Sequence, residues 1–485
     1  MKMAFSIYRF NAPILIAAIS LAVILCGSAR AQTDLLIARS DSGLGDEETP
    51  TVEQVEPVEL STALPELTLD RAIEMALSNN RTLRMARQGV EIARAGGRSS
   101  LAQFLPDLSS TYVYTRLAEP NVISVPDVGE FELQGVNSFF WGLTFKYPIY
   151  SGMQDEATER ASEAQTEGAE YRAEQAEGLI RLGVTGAYTG VLEAQAALDA
   201  ARASLDHLDE VLRTSQAFYD AGYLPLSDLL SVQVARSQAQ QGVSELERGL
   251  QIAQSSLAIL IGGEITDRWS LQPVEYSESE IPYPVDTLWD WALNARSELK
   301  EIESQRAALE AQMDAVRSSR NPRVNLQADY SRTGSDLFPN DSTALQGTIS
   351  IWWDLYDFGR ADDLLAPLQE QMSLLDIQKA DMENQVRQEV ESALLDVRTQ
   401  LGNLEVSREA MAQAEEAYRV ARRRQEEGLG LTLDVLNAEA NLSRTNAGYY
   451  HVLYQYYRAL ATLARTVGMS TVDLLALIST DMEAE

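Results

Sequence analysis

One cysteine, two histidines and a single long apolar run bound what this chain of 485 residues can be. The cysteine, Cys26, sits inside that N-terminal run, so the sequence beyond it has no thiol for a disulfide, a thiolate metal site or a cysteine nucleophile. His207 and His451 both fall in helix-forming sequence with no second ligand beside them, which leaves imidazole catalysis and zinc little footing. No glycine-rich loop closes on a lysine, and Gly96-Gly97 reads as the interruption of a helix rather than a phosphate cradle. Basic residues are scarce as well: 39 Lys and Arg stand against 72 Asp and Glu, and a net charge of −33 argues against a nucleic-acid partner. The chain is expected to be no enzyme and to hold no cofactor or metal ion. Past Leu25 no apolar run approaches the ~20 residues of a spanning helix, so any membrane crossing falls to strands.

The first residues carry Lys2 and Arg9, an apolar run from Ile14 to Leu25, and Ala29-Arg30-Ala31 before Gln32. This is the layout of a secretory signal peptide over 1–31. A membrane anchor is the alternative, and the run is short for one. A lipoprotein at Cys26 is another, although the bulky Leu25 precedes it. Residues 32–66, rich in Asp, Glu, Thr and Pro without apolar periodicity, read as a flexible acidic segment.

What the chain has in abundance is itself. Leu69 to Tyr114 returns from Val285 to Tyr330 at an offset of 216, with Leu83 answered by Leu299 and Pro106 by Pro322. From Tyr150 and Tyr356 the offset is 206, and it pairs Gly222 with Gly428, Asp228 with Asp434 and Gly262 with Gly468. A unit this long is no solenoid repeat; it points to a two-fold internal repeat within one fold. The expected organisation is a first repeat over 67–262, a linker over 263–284, a second repeat over 285–468 and a tail over 469–485.

Each repeat opens with an amphipathic helix. In the first, Thr68 is the candidate cap, and Ala72, Ala76, Leu83, Val90 and Ala93 belong to one apolar stripe that ends before Pro106. An extended stretch over 108–117 follows, then a loop of about twenty residues with Pro120, Pro126 and Gly129, then a second strand. In that strand Phe139, Trp141, Leu143, Phe145, Tyr147 and Ile149 alternate with residues such as Gly142, Thr144 and Lys146; Ile349, Ile351, Trp353 and Leu355 do the same in the second repeat. Each strand spans about nine residues, the length of a tilted transmembrane strand. Trp141, Tyr147, Tyr150, Trp352, Trp353 and Tyr356 are the candidate membrane-interface aromatics. An ordinary half-buried sheet is the competing reading.

The stretches from Gly152 to Ala221 and from Gly359 to Glu427 hold no proline but Pro367 and are dominated by Ala, Glu, Gln and Arg. Each predicts a helix of about 70 residues, roughly 100 Å long. In the second, Met382, Val386, Val390, Leu394, Val397, Leu401 and Leu404 step as a coiled-coil seam. A sharp turn at Gly222 or Gly428 then leads into a returning helix of about 35 residues. A free-standing coiled-coil rod would explain the seam but not the apolar strand ahead of each helix.

Four strands cannot close a barrel, and open edges in lipid leave backbone groups unpaired. Two copies give eight strands and a filled interior; three give twelve and room for an aqueous bore. At this point the sequence resembles the TolC-like outer-membrane efflux family. The resemblance rests on LTLDRAIEMALSNN from Leu67, YPIYSG from Tyr147, DLYDFGR from Asp354 and the two Gly-x5-Asp turns, in order and duplicated. It implies an α+β membrane protein, with four transmembrane strands per chain in a trimeric 12-stranded barrel continuous with a long periplasmic helical barrel. It also implies a Gram-negative outer-membrane location, an adaptor protein and an inner-membrane pump as partners, and outward passage of small molecules or proteins. A structural coiled-coil envelope protein without transport is the alternative.

The family's helix tips form the periplasmic gate. By that resemblance Asp434 falls where a ring of carboxylates can face the pore, and Ser227 and Asp228 fall on the neighbouring turn. With Gly222, Gly428 and Asn437 these are the candidate gate residues. Asn437 replaces a possible second acidic ring, and Gly430 a possible basic residue. Helix capping is the competing role for Asp228 and Asp434.

Overall fold

The computed structural model describes residues 64–127, 129–274, 278, 280–471, 473 and 474. The leader expected over 1–31, with Cys26, lies outside these residues, as do the acidic segment up to 63 and the tail past 474. After a two-residue strand, β1 (Glu66–Leu67), the Thr68 hydroxyl accepts from the Arg71 N–H at 3.2 Å and starts α1 (Leu69–Asn79). The single helix expected from here to Pro106 is broken at Asn80. Its side-chain oxygen accepts from the N–H groups of Thr82 (2.8 Å) and Leu83 (3.3 Å), so it ends α1 and caps α2 (Arg81–Ala102). Gly97, expected to interrupt a helix, lies inside α2 instead. A Cβ there would overlap Ser162 Oγ, so glycine lets the neighbouring helix come close.

The first half continues with β2 (Asp107–Arg116), β3 (Asn121–Val125), β4 (Gly129–Gln134), β5 (Asn137–Tyr150), α3 (Gln154–Asp220), α4 (Leu226–Leu260) and β6 (Ser270–Leu271). The second has α5 (Val285–Ala295), α6 (Ser297–Arg317), β7 (Arg323–Gly334), β8 (Ser342–Trp352), α7 (Arg360–Glu426) and α8 (Thr432–Val467). The loop expected after β2 contains an antiparallel ribbon, β3 with β4: the β-branched Val122, Ile123 and Val125 precede a turn with positive φ at Asp127 (64°) and Gly129 (116°). The four main strands are 10 to 14 residues long, more than the nine expected. β8 nevertheless stops at Trp352, so Trp353 and Leu355 lie beyond the strand in which the alternation had put them.

These strands form one antiparallel sheet in the order β2-β5-β7-β8. The helices α3 and α7, 67 residues each, continue from β5 and β8 with α6 and α8 packed between them. α3 packs against α2, α4, α6 and α8, and α7 against α6 and α8. Near the sheet the sequence of helices across the wall is α2, α3, α6, α7; farther away it is α4, α3, α8, α7. Sheet and helices therefore share two lateral edges, one made by β2, α2 and α4, the other by β8 and α7.

The large core lies midway along the wall. Tyr188 of α3, Leu67, Leu257, Leu288, Tyr456 and Leu460 are all fully buried there. The Tyr188 hydroxyl lies 2.7 Å from the Leu67 carbonyl and 2.8 Å from that of Gln272, which fastens the small parallel pair β1–β6 to the long helix. Burial pushes this hydroxyl up to about 12, so it stays a donor. Two further ties sit at matched positions. Asn80 donates through Nδ2 to the Leu260 carbonyl at 2.7 Å, and Arg296, which breaks α5 from α6 as Asn80 breaks α1 from α2, donates to the Thr466 carbonyl at 3.3 Å. Arg296 is buried and held by Glu298 and Glu389 at 3.0 and 2.9 Å.

The returning helices end on Gly262 (φ 79°) and Gly468 (φ 84°) at this level. A Cβ on Gly262 would stand 2.7 Å from Asn79 Cβ and 2.9 Å from its carbonyl carbon, whereas one on Gly222 (φ 81°) would meet nothing. Both substitutions to alanine carry the left-handed backbone penalty of roughly 1–2 kcal/mol, but only Gly262→Ala adds an overlap with backbone. Gly262→Ala is expected to lower the thermal midpoint of the purified protein clearly more than Gly222→Ala; equal shifts would mean that the close seat at Asn79 carries no stability.

Candidate functional site

Register sorts the sheet into two unlike faces. Tyr112 stands opposite Trp141 and Trp141 opposite Arg332; Leu108 opposite Phe145 and Phe145 opposite Ala328; Leu326 opposite Ile349. With Leu143, Val324 and Ile351 these make one face mostly apolar. The other carries Ser109, Thr111, Thr144, Asn325, Gln327, Asp329, Gln346 and Thr348. Its polar groups serve one another: Thr144 Oγ1 donates to Asp329 at 2.8 Å, and Gln327 Nε2 to both Asp329 oxygens at 3.0 and 2.8 Å. On the apolar face, at the end far from the helices, Tyr114 packs on Phe139 at 4.8 Å and Trp141 meets Tyr330 edge-on at 5.8 Å.

The candidate interface aromatics divide between the two ends of the sheet. Tyr150 and Trp352 are the last residues of their strands, and Trp353 and Tyr356 follow in the turn to α7. Trp353 donates to the Arg320 carbonyl at 3.0 Å, and Tyr356 packs edge-on against Phe358 at 4.6 Å. Tyr147 lies one turn of the pleat inside, half-buried opposite Leu326. Trp141 sits nine positions from Tyr150, bonded through its indole to Ser110 at 3.1 Å. Tyr112, Tyr114 and Tyr330 join it there; their alternation gave the signal, but only the register gathers them.

Each strand turns into its long helix through two consecutive left-handed residues, Gly152 and Met153 (φ 75° and 72°) and Phe358 and Gly359 (φ 52° and 87°). Asp357 accepts from the N–H groups of Gly359 (3.2 Å) and Ala361 (3.1 Å), and these bonds with Arg320 nearby hold its carboxyl below the ordinary range. This capping pulls the chain out of the sheet and explains why β8 ends early.

At the opposite end, α3 and α7 finish in the same hydrogen-bonded turn. Gly222 N–H donates to the Tyr219 carbonyl and Tyr223 N–H to that of Phe218, at 2.9 and 2.8 Å; Gly428 to Gln425 and Leu429 to Arg424 repeat both distances. The second turn is tied more tightly. Gly430 N–H also donates to the Arg424 carbonyl at 2.9 Å, and the buried Gln425 side chain donates to Thr432 Oγ1 at 3.3 Å. A Cβ at Gly430 would stand 3.1 Å from both Arg424 Cβ and the Gln425 nitrogen, so this turn leaves little room for a side chain there.

The capping role weighed for Asp228 and Asp434 is corrected. Pro225 and Leu431 occupy the cap positions, and neither makes a side-chain cap bond. The two carboxylates lie in the first turn, where they face the positive helix end without closing it. Ser227 Oγ donates to Asp228 at 3.1 Å. Asp434 and Asn437, three residues apart and both exposed, share a face turned away from buried Val435.

Behind the tips lies a small core of its own, Val211, Val232, Tyr418, Val435 and Leu442. Glu439 is buried beside it, and so are polar atoms of His207 and Tyr418. Sequence reading missed this group. The signal was present in the spacing of Val435, Glu439 and Leu442, which puts a carboxylate on an apolar stripe. Among the described residues no group of three or more His, Cys, Asp and Glu could hold a metal ion, and no helix is long and apolar enough to cross a membrane.

Residues 72–263 and 288–469 match the family model described as outer membrane efflux protein. The pyoverdine export outer membrane protein OpmQ of Pseudomonas aeruginosa is 26% identical over 279 residues, 56% of this chain and 58% of that protein. The probable efflux pump outer membrane protein TtgC of Pseudomonas putida is 25% identical over 382 residues, 77% of each chain. Among solved structures, the CmeC outer membrane channel of Campylobacter jejuni shares the fold at a TM-score of 0.70, with 17% identity over 85% of this chain and 88% of that one.

Gln425 and Thr432 are 4% and 5% exposed, so their bond has no water to replace it. Thr432→Val keeps the shape and removes the acceptor, at an expected cost of about 1–3 kcal/mol. Amide exchange across 424–436 should quicken while the core around Tyr188 keeps its protection; unchanged exchange would show the bond to be dispensable.

Proposed function

The chain belongs to the outer membrane efflux protein family, and from that premise we propose that it is the outer-membrane exit duct of a tripartite efflux or type I secretion system. Three copies close a 12-stranded barrel, and their long helices extend it as a periplasmic tube. The observation that carries this reading is the two-faced sheet running without a break into two helices of equal length, 67 residues. An apolar outer face suits hydrocarbon, and a polar inner face carrying Thr144, Gln327 and Asp329 suits a wet bore. A coiled-coil envelope spacer accounts for the helices alone.

Closure follows from the edges. β2 and β8 each have one strand partner within the chain, and their free backbone groups would cost several kcal/mol apiece in lipid. Joining β2 of one copy to β8 of the next is a head-to-tail contact that repeats until a ring closes. The same rotation sets α2 and α4 against the neighbour's α7. Two copies would give a barrel filled by its own side chains; three leave a conduit. The internal two-fold repeat then makes six similar hairpins around the tube.

In this arrangement Tyr150, Trp352, Trp353 and Tyr356 belong to the periplasmic-side girdle. Trp141, about 30 Å away along the strand at ~3.4 Å per residue, belongs to the outer one. A tilted strand brings that separation near the ~25 Å of an apolar barrel band. Gly222, Ser227, Asp228, Gly428, Asp434 and Asn437 form the periplasmic tip, where the passage is gated. Asp434, exposed on the face it shares with Asn437, lines the narrowest point and favours cations. The named relatives are an exporter of pyoverdine and an efflux-pump component, so an adaptor protein and an inner-membrane pump are the expected partners. The duct is passive, and the pump supplies the energy.

Purified protein in a planar bilayer is expected to conduct, and Asp434→Ala is expected to lose cation preference and block by trivalent cations. A conducting Asp434→Ala channel identical to wild type in both would remove Asp434 from the constriction. For the barrel faces, Leu143→Arg on the apolar side should cost about 2–4 kcal/mol near mid-membrane, while Thr144→Arg on the polar side leaves assembly intact. Equal yields of folded trimer from both variants would refute the assignment of faces.

A further inference from the structure

α8 enters the tip core along one stripe, Val435, Glu439 and Leu442, at spacings of four and three. The two aliphatic members pack with Val211 of α3, Val232 of α4 and Tyr418 of α7, in a cluster separate from the large core at mid-wall. Glu439 is 4% exposed, a carboxylate at a position where its neighbours on the stripe are hydrocarbon. It takes a hydrogen bond from Ser204, but its Oε1 has no hydrogen-bond partner. His207 Nδ1 is buried without a hydrogen-bond partner as well; its ring stacks on that of Tyr418 at 4.9 Å, whose hydroxyl lies beside the Arg422 guanidinium.

The other charged groups on the elements around it are occupied. Arg422 of α7 is paired with Glu210 of α3 at 2.5 Å and with Glu426 at 3.0 Å, and Arg236 of α4 is paired with Asp209 of α3 at 2.8 Å. Burial raises Glu439 above the ordinary glutamate range, outweighing the Ser204 hydrogen bond and the nearby His207, which both favour the charged carboxylate. A carboxylate kept in an apolar stripe with an unmet oxygen is a weak point in the packing, and it lies in the smaller core, which has least else to hold it.

We propose that Glu439 makes the tip packing proton-linked: α8 stays seated on α3 and α7 while this carboxyl carries its proton, and loosens when the carboxylate is charged. The tie depends on the channel reading only for its consequence, since a loosened tip is an opened periplasmic end. Released to water, Glu439 titrates in the ordinary range; seated, it titrates higher. The seat is therefore at full strength below the ordinary range, weakens as pH rises between the two values, and is constant above them.

The test is amide exchange of 432–442 in the purified full-length protein between about pH 4 and pH 8, corrected for intrinsic exchange and referred to residues 257–261 in the large core. Wild type should lose protection progressively as pH rises across the window, with a plateau at each end. Glu439→Gln should be flat with pH, and Glu439→Leu flat and better protected than wild type at the upper end. Superimposable curves for wild type and Glu439→Gln would overturn the proposal. Bilayer recordings of the same proteins keep the two readings apart. Failure of all three to conduct at any pH overturns the channel and leaves the exchange result to decide Glu439; a wild-type open fraction that rises with pH, lost in Glu439→Gln, supports both.

Discussion

A helix of 67 residues keeps its position only through what packs along it, and here that packing is concentrated at mid-wall. Two buried polar side chains set the level. Asn80 and Arg296 each end one helix, begin another and take a carbonyl near the end of a returning helix, Leu260 or Thr466. The return path from that lock to the tip, Leu226 to Leu260 and Thr432 to Thr466, has the same length in both halves. Equal return paths beside equal outgoing helices bring both tips to one depth. Remove the locks and the tips lose their common reference, although each hairpin turn would still form from its own glycine. The two locks differ in kind: Asn80 satisfies its bonds as a neutral amide, whereas Arg296 brings a charge into the core and needs Glu298 and Glu389 to hold it.

The same wall supports the proposed ring. Large apolar side chains remain exposed along both lateral edges: Met85 and Ile92 on α2 and Val234 and Ile252 on α4, against Leu374, Ile377, Leu395 and Val406 on α7. Exposed apolar groups on helices that otherwise carry Glu, Gln and Arg outward mark surfaces that expect cover. In the proposed ring each edge covers the other, and the strand edges and helix edges are satisfied by one rotation. Backbone pairing would enforce closure in lipid, where an unpaired amide has no water to turn to. Apolar burial would enforce it in the periplasm, where strand edges are absent.

Much of this was legible in the sequence because it is periodic. Alternation marked β5, the absence of interior proline marked α3, and the glycines at 222 and 428 marked both tips to the residue. What stayed hidden is chemistry that competes with periodicity. Asn80 sits within an apolar stripe that runs on past it, so the break appears only when its side-chain oxygen is seen to cap α2. Asp357 ends β8 in the same way, by accepting hydrogen bonds from the N–H groups that open the next helix while the apolar alternation continues to Leu355. Gly97 misled in the other direction, since a glycine that serves close helix contact looks the same in sequence as one that breaks a helix. Glu439 looks in sequence like the other carboxylates of a charged helix; only burial separates it from them.

The duplication holds backbone geometry more faithfully than it holds buried chemistry, and the tips are where the two part. At the offset of 206, Gln233 corresponds to Glu439 and is exposed, Leu212 corresponds to Tyr418, and Gln413 to His207. The first hairpin thus has no buried titratable group of its own in this position. Its turn also lacks the second hairpin's added ties, the Gly430 N–H and the Gln425–Thr432 bond. The second hairpin is therefore bound more firmly at its very end and less comfortably one to two turns behind it. If Glu439 loosens the seat as proposed, a hairpin built this way would move as a unit, its turn intact, hinging where α8 leaves the small core. In a ring of six such tips only every second one would carry that hinge, so opening would begin with three alternating hairpins while the other three hold their places.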